Sequence, residues 1–267
     1  MKIWTQMSID LANQRNYLDE LYKVYPISPN LRREIDPALQ GEIESAFQNR
    51  DNELLMKSLL KLNLFPIKDS FVAYLRRDPS SINRNPQTIN RIAGTIYEMG
   101  INEVIEKCTE PKETNRQIGP MFKYWLDKGT LGVPVYKNVQ DFLRNTNENA
   151  ILNIPDAEMQ AFAVRYLGYN REKGLDFLAR FNNKYVIGEA KFLTDFGGHQ
   201  NAQFADAVST ITSRFRSNAL NAEIIPIAII DGVLYINGTH KMYRYLENNE
   251  EQIIISSLLL REFLYSI

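Results

Sequence analysis

The chain has 267 residues, of which 44% are hydrophobic and 24% are charged. This composition is typical of a soluble globular protein with one large domain or two closely packed ones. The net charge of -1 neither indicates nor excludes nucleic acid as a partner, because an acidic site can cancel a basic surface in the total.

Cysteine and histidine are too rare for several kinds of site. Cys108 is the only cysteine, and His199 and His240 are the only histidines. A disulfide framework and a Cys/His zinc cluster are therefore excluded, so that any metal must be held by oxygen. No apolar run reaches the ~18 residues of a membrane span, and the first residues are too polar for a signal peptide. We expect a cytoplasmic protein.

The sequence also lacks the local signatures of several common enzymes. It contains no GxxxxGK[ST] phosphate loop, no GxGxxG after a strand, no GxSxG elbow and no HExxH. Nucleotide hydrolysis, dinucleotide binding, serine hydrolysis and zincin chemistry are thus without support, and carboxylate chemistry remains.

Residues 1–150 are predicted to form a mostly helical N-terminal region. Apolar residues recur at helical spacing in "ELLMKSLLKLNLF" and "INRIAGTIYEMGINEVIEKC", and Asn85-Pro86 predicts the start of the second helix. Two segments are basic. One contains Arg76, Arg77, Arg84 and Arg91, and the other contains Lys112, Arg116, Gln117 and Lys123 beside aromatic residues.

From about residue 155 the pattern changes to alternating helices and strands. "IPDAEMQAFAVRYLGY" predicts a helix that ends at Gly168, and "LDFLARF" and "KYVIGEAKF" predict two strands joined by a tight turn at Asn182-Asn183. "QNAQFADAVSTITSRFRSNAL" predicts a helix, "AEIIPIAII" and "VLYING" a strand pair around Asp231-Gly232, and "NEEQIIISSLLLREFLY" a closing helix. The predicted fold is a mixed α/β sheet flanked by helices.

The second strand of the hairpin carries two charged residues two positions apart. Side chains alternate faces along a strand, so Glu189 and Lys191 share one face while Ala190 points to the other. Asp176 begins the partner strand, and the turn brings it to the same end of the ladder as Glu189. Two converging carboxylates form an oxygen site suited to Mg²⁺.

Such a site can support phosphodiester hydrolysis. A metal on Asp176 and Glu189 neutralises a phosphate and activates water, while Lys191 orients or deprotonates that water or stabilises the developing charge. The competing interpretation is a solvated pair of Glu189 and Lys191 on an edge strand. Taken alone, an E-x-K pattern does not decide between the two.

The order of the elements supports the first interpretation. Helix, Asp-bearing strand, tight turn, E-x-K strand, helix and strand together resemble the PD-(D/E)xK nuclease superfamily, with Leu175-Asp176 and Glu189-Ala190-Lys191 as its motif. Leu175 stands where many members have proline, a position that varies in that superfamily. The resemblance covers roughly residues 155 to 238.

The resemblance implies a restriction-endonuclease-like core at residues 151–267. It implies Mg²⁺ held by Asp176, Glu189 and the Ala190 carbonyl, with Lys191 as the motif lysine. Many relatives add a glutamate from the preceding helix. Glu158 is the candidate here, although an acid in the first turn of a helix is also favoured by the helix dipole.

A chain of this length without a helicase or ATPase motif most resembles a type II restriction endonuclease. The resemblance then implies Mg²⁺-dependent, sequence-specific cleavage of double-stranded DNA by a homodimer, with residues 1–150 serving DNA recognition or dimerisation. A structure-selective repair or recombination nuclease, a non-catalytic DNA-binding module and an unrelated α/β protein are the alternatives.

Candidate DNA contacts follow the motif in "TDFGGHQNAQ". His199, Gln200, Asn201 and Gln203 are polar side chains at a predicted helix start, where amides can pair with adenine edges and the helix N-terminus can accept phosphate. Arg84 and Arg116 are further candidates, because basic side chains beside a nuclease core contribute to DNA affinity.

Overall fold

The computed structural model describes residues 3–26, 32–111, 114–213, 215–216, 218–249 and 251–267, and only the backbone of residues 114–116. Contacts divide the chain into two compact units. The first comprises residues 1–27 and 114–267, and the second comprises residues 28–113. Within the described residues, no helix is both long and apolar enough to cross a membrane.

The first unit begins with two helices, α1 (Ile3–Ala12) and α2 (Tyr17–Val24). The regular elements in the described part of the second unit are all helices, joined by loops. Its helices are α3 (Pro37–Gln48), α4 (Asn52–Lys61), α5 (Val72–Arg77), α6 (Ser81–Arg84), α7 (Pro86–Met99) and α8 (Ile101–Thr109). Helix α7 begins at Pro86 as predicted, because proline at the first helical position lacks only an N–H that would have no partner there.

The first unit continues with the sheet and its helices. The elements are α9 (Thr114–Asp127), β1 (Val135–Tyr136), α10 (Val139–Arg144), β2 (Ala150–Leu152), α11 (Asp156–Leu167), β3 (Phe177–Phe181), β4 (Lys184–Leu193), α12 (Gly198–Ile211), β5 (Ile224–Gly232), α13 (Lys241–Asn248), β6 (Ile253–Ile255) and α14 (Leu260–Ser266). The boundaries between the two units follow residues 27 and 113, whereas the sequence predicted a single boundary at residue 150. The role predicted for residues 1–150 stays a prediction.

The sheet is mixed, as the sequence predicts. The strands lie in the order β1 to β6, with β3 antiparallel to β2 and β4, and with parallel pairs β1–β2, β4–β5 and β5–β6. Strand β4 is therefore interior, although only its first half, up to Gly188, pairs with β3, whereas β5 pairs with it as far as Leu193. Apolar clusters cover both of its faces, since Val186 and Ala190 belong to one cluster and Ile187 to the other.

The turn between β3 and β4 is confirmed. Asn182 and Asn183 have φ angles of 48° and 63°, in the left-handed region that asparagine tolerates. Phe177 pairs with Gly188, which aligns Asp176 with the part of β4 that carries Glu189.

Three predicted elements are wrong in extent or type. Helix α12 ends at Ile211, because the hydroxyls of Thr212 and Ser213 donate to carbonyls of its last turn and the chain then turns back so that Arg216 N–H donates to Gly168 O at 2.9 Å.

The other two corrections concern the end of the chain. A short 3₁₀ turn, Val233–Tyr235, stands where a second strand was predicted after Asp231-Gly232. The predicted closing helix is instead β6 followed by α14, since Ile253–Ile255 pair in parallel with Ile227–Ile229 and β-branched residues favour strands.

A buried carboxylate joins the end of β5 to its neighbours. Asp231 accepts hydrogen bonds from Tyr25 Oη at 2.9 Å, Ser256 Oγ at 2.5 Å, Ser257 N at 3.2 Å and Tyr17 Oη at 3.4 Å. Burial raises the pKa of Asp231 above its ordinary value, although the hydrogen bonds oppose this rise. The cluster fixes α2 and the C-terminal segment against the sheet.

We expect Asp231→Asn to lower the free energy of unfolding by about 1–3 kcal/mol, because the new amide group faces hydrogen-bond donors. The folded-state pKa of Asp231 lies above its unfolded value, so its contribution to stability is complete below the unfolded pKa and is lost as pH rises through the folded pKa. The effect of the substitution should therefore shrink as pH rises. Urea unfolding across acid and neutral pH measures this, with Asp19→Asn at an exposed carboxylate as control. Equal effects of the two substitutions would contradict the account.

Candidate active site

Asp176, Glu189 and Lys191 meet at one end of the β3–β4 ladder. The Lys191 ammonium lies 3.0 Å from Asp176 Oδ2 and 2.9 Å from Glu189 Oε2. One positively charged group thus contacts both carboxylates at once. The predicted convergence of the three side chains is present in the structure.

The backbone around these residues fixes their positions. Asp176 N donates to Gly188 O at 3.0 Å, and Ala190 N donates back to Asp176 Oδ2 at 2.9 Å. Glu189 lies on β4, which pairs with β3 on one side and β5 on the other. The carboxylates are therefore held by strand pairing rather than by loop conformation alone.

The burial of Glu189 distinguishes this site from a solvated ion pair on the protein surface. The Glu189 side chain is 1% exposed, whereas those of Asp176 and Lys191 are 18% and 22% exposed. The interpretation of Glu189 and Lys191 as a solvated pair on an edge strand is wrong, because β4 is interior and Glu189 is enclosed. Burial disfavours the charged form of Lys191, but Asp176 and Glu189 outweigh it and raise the pKa of Lys191 above its usual value.

Further polar residues surround Glu189 that the sequence patterns did not single out. Lys173 Nζ lies 3.0 Å from Glu189 Oε1, and it also pairs with Asp206. Thr210 Oγ1 donates to Glu189 Oε1 at 3.2 Å and accepts a bond from Arg171 at 3.0 Å. The position of Lys173, three residues before Asp176, was the available signal, but its partner Asp206 lies on α12, a distant part of the sequence.

The donor set fits a hard divalent cation. Asp176 and Glu189 are within reach of a single cation, as their shared contact with the Lys191 ammonium shows. Within the described part of the chain, no group of three or more His, Cys, Asp or Glu side chains could hold a metal. Two carboxylates completed by water and a substrate phosphate match the preference of Mg²⁺. The Ala190 carbonyl stays a predicted ligand.

The structure does not assemble Glu158 with the two carboxylates. Glu158 lies exposed in the first turn of α11, and no third carboxylate joins Asp176 and Glu189 among the described residues. Its predicted catalytic role stays a prediction.

The four residues predicted at the start of α12 differ in their surroundings. His199 is exposed and its ring contacts the Gln203 amide at 3.0 Å, while Asn201 donates to Phe196 O at 2.7 Å. Gln200 is 6% exposed and accepts from Thr194 N at 3.3 Å. The prediction that Gln200 is presented for a DNA contact is not met by this conformation, because its amide closes the loop that enters α12.

The two predicted arginines belong to other helices, α6 and α9. Arg84 is in the second unit, where it donates to Asp78 at 2.5 Å and to Ser80 Oγ at 3.0 Å. Arg116 is in α9, but its side chain lies outside the described residues. Lys112 also lies outside them.

A six-stranded mixed sheet flanked by helices, with Asp176, Glu189 and Lys191 meeting at one end of the β3–β4 pair, is consistent with a restriction-endonuclease-like fold. The chain matches the Tsp45I type II restriction enzyme family over residues 2–267 and belongs to that family. It is therefore a sequence-specific endonuclease whose substrate is DNA, which decides among the functions that the sequence left open. Neither the curated proteins nor the solved structures gave a match. Type II restriction enzymes generally use Mg²⁺.

Gly188 allows the close approach of β4 and β5 beside Glu189. A Cβ at this position would lie 2.7 Å from Ile227 O and 3.0 Å from Ile227 Cγ1. We expect Gly188→Ala to force the strands apart and to lower the free energy of unfolding by about 1–3 kcal/mol.

Gly198→Ala is the matched control, since a Cβ at Gly198 meets nothing within 4 Å. Urea unfolding of both variants tests the constraint. An unchanged unfolding midpoint for Gly188→Ala would show that the strands accommodate a methyl group there.

Proposed function

We propose that Asp176 and Glu189 jointly hold Mg²⁺ and that Lys191 acts beside them in cleaving double-stranded DNA. The observation that carries the proposal is the contact of one ammonium with both carboxylates at 3.0 and 2.9 Å. A second support is the burial of Glu189, since a carboxylate enclosed on an interior strand has a fixed position and little competition from solvent.

Each residue then has a distinct task. When bound, the ion neutralises charge on the scissile phosphate and lowers the pKa of a coordinated water. Asp176 offers the more exposed carboxylate, and Glu189 supplies one whose orientation is fixed by β4. The Ala190 carbonyl is a proposed further ligand. The Lys191 ammonium brings positive charge to the same place, where it can stabilise negative charge that develops on the phosphate.

The segment after β4 is the proposed region of DNA contact. His199 is exposed, and Asn201 and Gln203 are half-buried near it at the start of α12. Amide side chains can pair with base edges in the major groove, and a helix N-terminus favours phosphate. Arg84 and Arg116 are proposed to contribute sequence-independent affinity through phosphate contacts.

A homodimer is proposed because two-fold protein symmetry matches a palindromic target. The mostly helical N-terminal region is proposed to serve recognition or dimerisation. A cytoplasmic location suits an enzyme that cuts DNA entering the cell.

We expect Glu189→Gln to lower cleavage of unmethylated phage DNA by at least about a hundredfold, because it removes a negative charge from the metal site. Glu247→Gln changes an exposed glutamate in the same unit and should leave cleavage unchanged. Gel assays with Mg²⁺ and with chelator measure the effect, and circular dichroism verifies folding. Full cleavage by Glu189→Gln, or by the parent in chelator, would overturn the metal proposal.

The homodimer is tested separately by sedimentation equilibrium of the DNA-free protein. For the DNA-free protein we expect a mass twice that of one chain. For the complex we expect two chains bound to each DNA molecule that contains the recognition site. A single chain both alone and on DNA would contradict the proposed symmetry.

A further inference from the structure

Both carboxylate oxygens of Glu189, a proposed metal ligand, already have partners in the structure. Lys173 Nζ lies 3.0 Å from Oε1, and Thr210 Oγ1 donates to it at 3.2 Å. Lys191 contacts the other oxygen, Oε2, at 2.9 Å. This carboxylate is 1% exposed and contacts two ammonium groups, so a divalent cation competes with Lys191 for Oε2 and with Lys173 for Oε1.

The second ionic partner of Lys173 lies outside the proposed pair of metal ligands, whereas both partners of Lys191 belong to that pair. The Lys173 ammonium also pairs with Asp206 on α12, whose side chain is 44% exposed. Lys173 thus spans a buried carboxylate and a more accessible one. If its ammonium leaves Glu189, it keeps an ionic partner, so the large cost of a buried unpaired charge is avoided.

The loop that carries Lys173 is anchored on both sides. Gln160 Nε2 donates to Arg171 O at 2.9 Å, and Leu175 N donates to Asp156 O at 3.3 Å. A Cβ at Gly174 would lie 2.8 Å from Asp156 Cβ, which shows how closely this loop approaches α11. A shift of the Lys173 ammonium therefore requires side-chain rotation only.

We infer that Lys173 is a positioning residue that holds Glu189 Oε1 before metal binding and keeps only its existing contact with Asp206 when a divalent cation takes that oxygen. This inference rests on the proposed metal site. Lys173 neutralises the Glu189 carboxylate in the metal-free enzyme and competes with the cation for it, and Asp206 lowers the cost of releasing Lys173. The pair thereby sets the affinity of the site for its cation.

The test is a Mn²⁺ titration of the DNA-free protein, with free Mn²⁺ measured by electron paramagnetic resonance. Mn²⁺ suits the same carboxylate and water ligands as Mg²⁺. We expect Lys173→Met to bind Mn²⁺ about tenfold more tightly, because a competing positive charge is gone. Asp206→Asn should bind Mn²⁺ more weakly by at least about threefold, because Lys173 then has only Glu189 as an ionic partner.

The double variant separates this mechanism from simple charge effects. In the Lys173→Met background, Asp206→Asn should change Mn²⁺ affinity by less than about twofold. Lys123→Met is the matched control, since Lys123 pairs with Asp156 and is 23% exposed against 25% for Lys173. It should leave Mn²⁺ affinity unchanged. Lys173→Gln replaces Lys173→Met if the latter fails a thermal-unfolding check.

Two failures are distinguishable. If Asp176→Asn abolishes Mn²⁺ binding but Lys173→Met leaves the affinity unchanged or weakens it, the inference about Lys173 is overturned and the proposed metal site stands. A protein whose Mn²⁺ binding is insensitive to Asp176→Asn overturns the proposed metal site and this inference with it.

Discussion

The contact of the Lys191 ammonium with Asp176 and Glu189 is the interaction on which the site depends. It requires that a short strand beginning at Phe177 and a long interior strand be aligned so that Asp176 lies beside Glu189. It also requires burial of a carboxylate, which is tolerated because two lysines and a threonine hydroxyl satisfy it. A buried charge with several partners is expensive to build and is therefore informative about function.

The fold supports this arrangement from both sides of the sheet. Apolar clusters on each face hold β4 in place, and the Asp231 cluster fixes the end of β5 that adjoins it. Helix α12 contributes twice, since its apolar residues pack on the sheet while Asp206 and Thr210 reach the charged groups around Glu189. Core packing and site construction thus share the same elements.

Local patterns predicted the central part of the fold well. Asn182-Asn183, the E-x-K strand and the helix ending at Gly168 are signals carried by neighbouring residues, and all are present. The predictions failed where contacts outside the local pattern decide. Ile253–Ile255 form a strand because they pair with β5, and Gln200 is buried where its amide accepts from Thr194 N. Lys173 contacts Glu189 of β4 and Asp206 of α12, and the spacing of neighbouring residues does not reveal this pair of contacts.

The most direct measurement is the crystal structure of the protein with Mn²⁺, using anomalous scattering to place the ion. The account predicts an anomalous peak coordinated by oxygens of both Asp176 and Glu189. A peak elsewhere, or one that contacts neither carboxylate at saturating Mn²⁺, would contradict the assignment of these residues as the metal-binding centre.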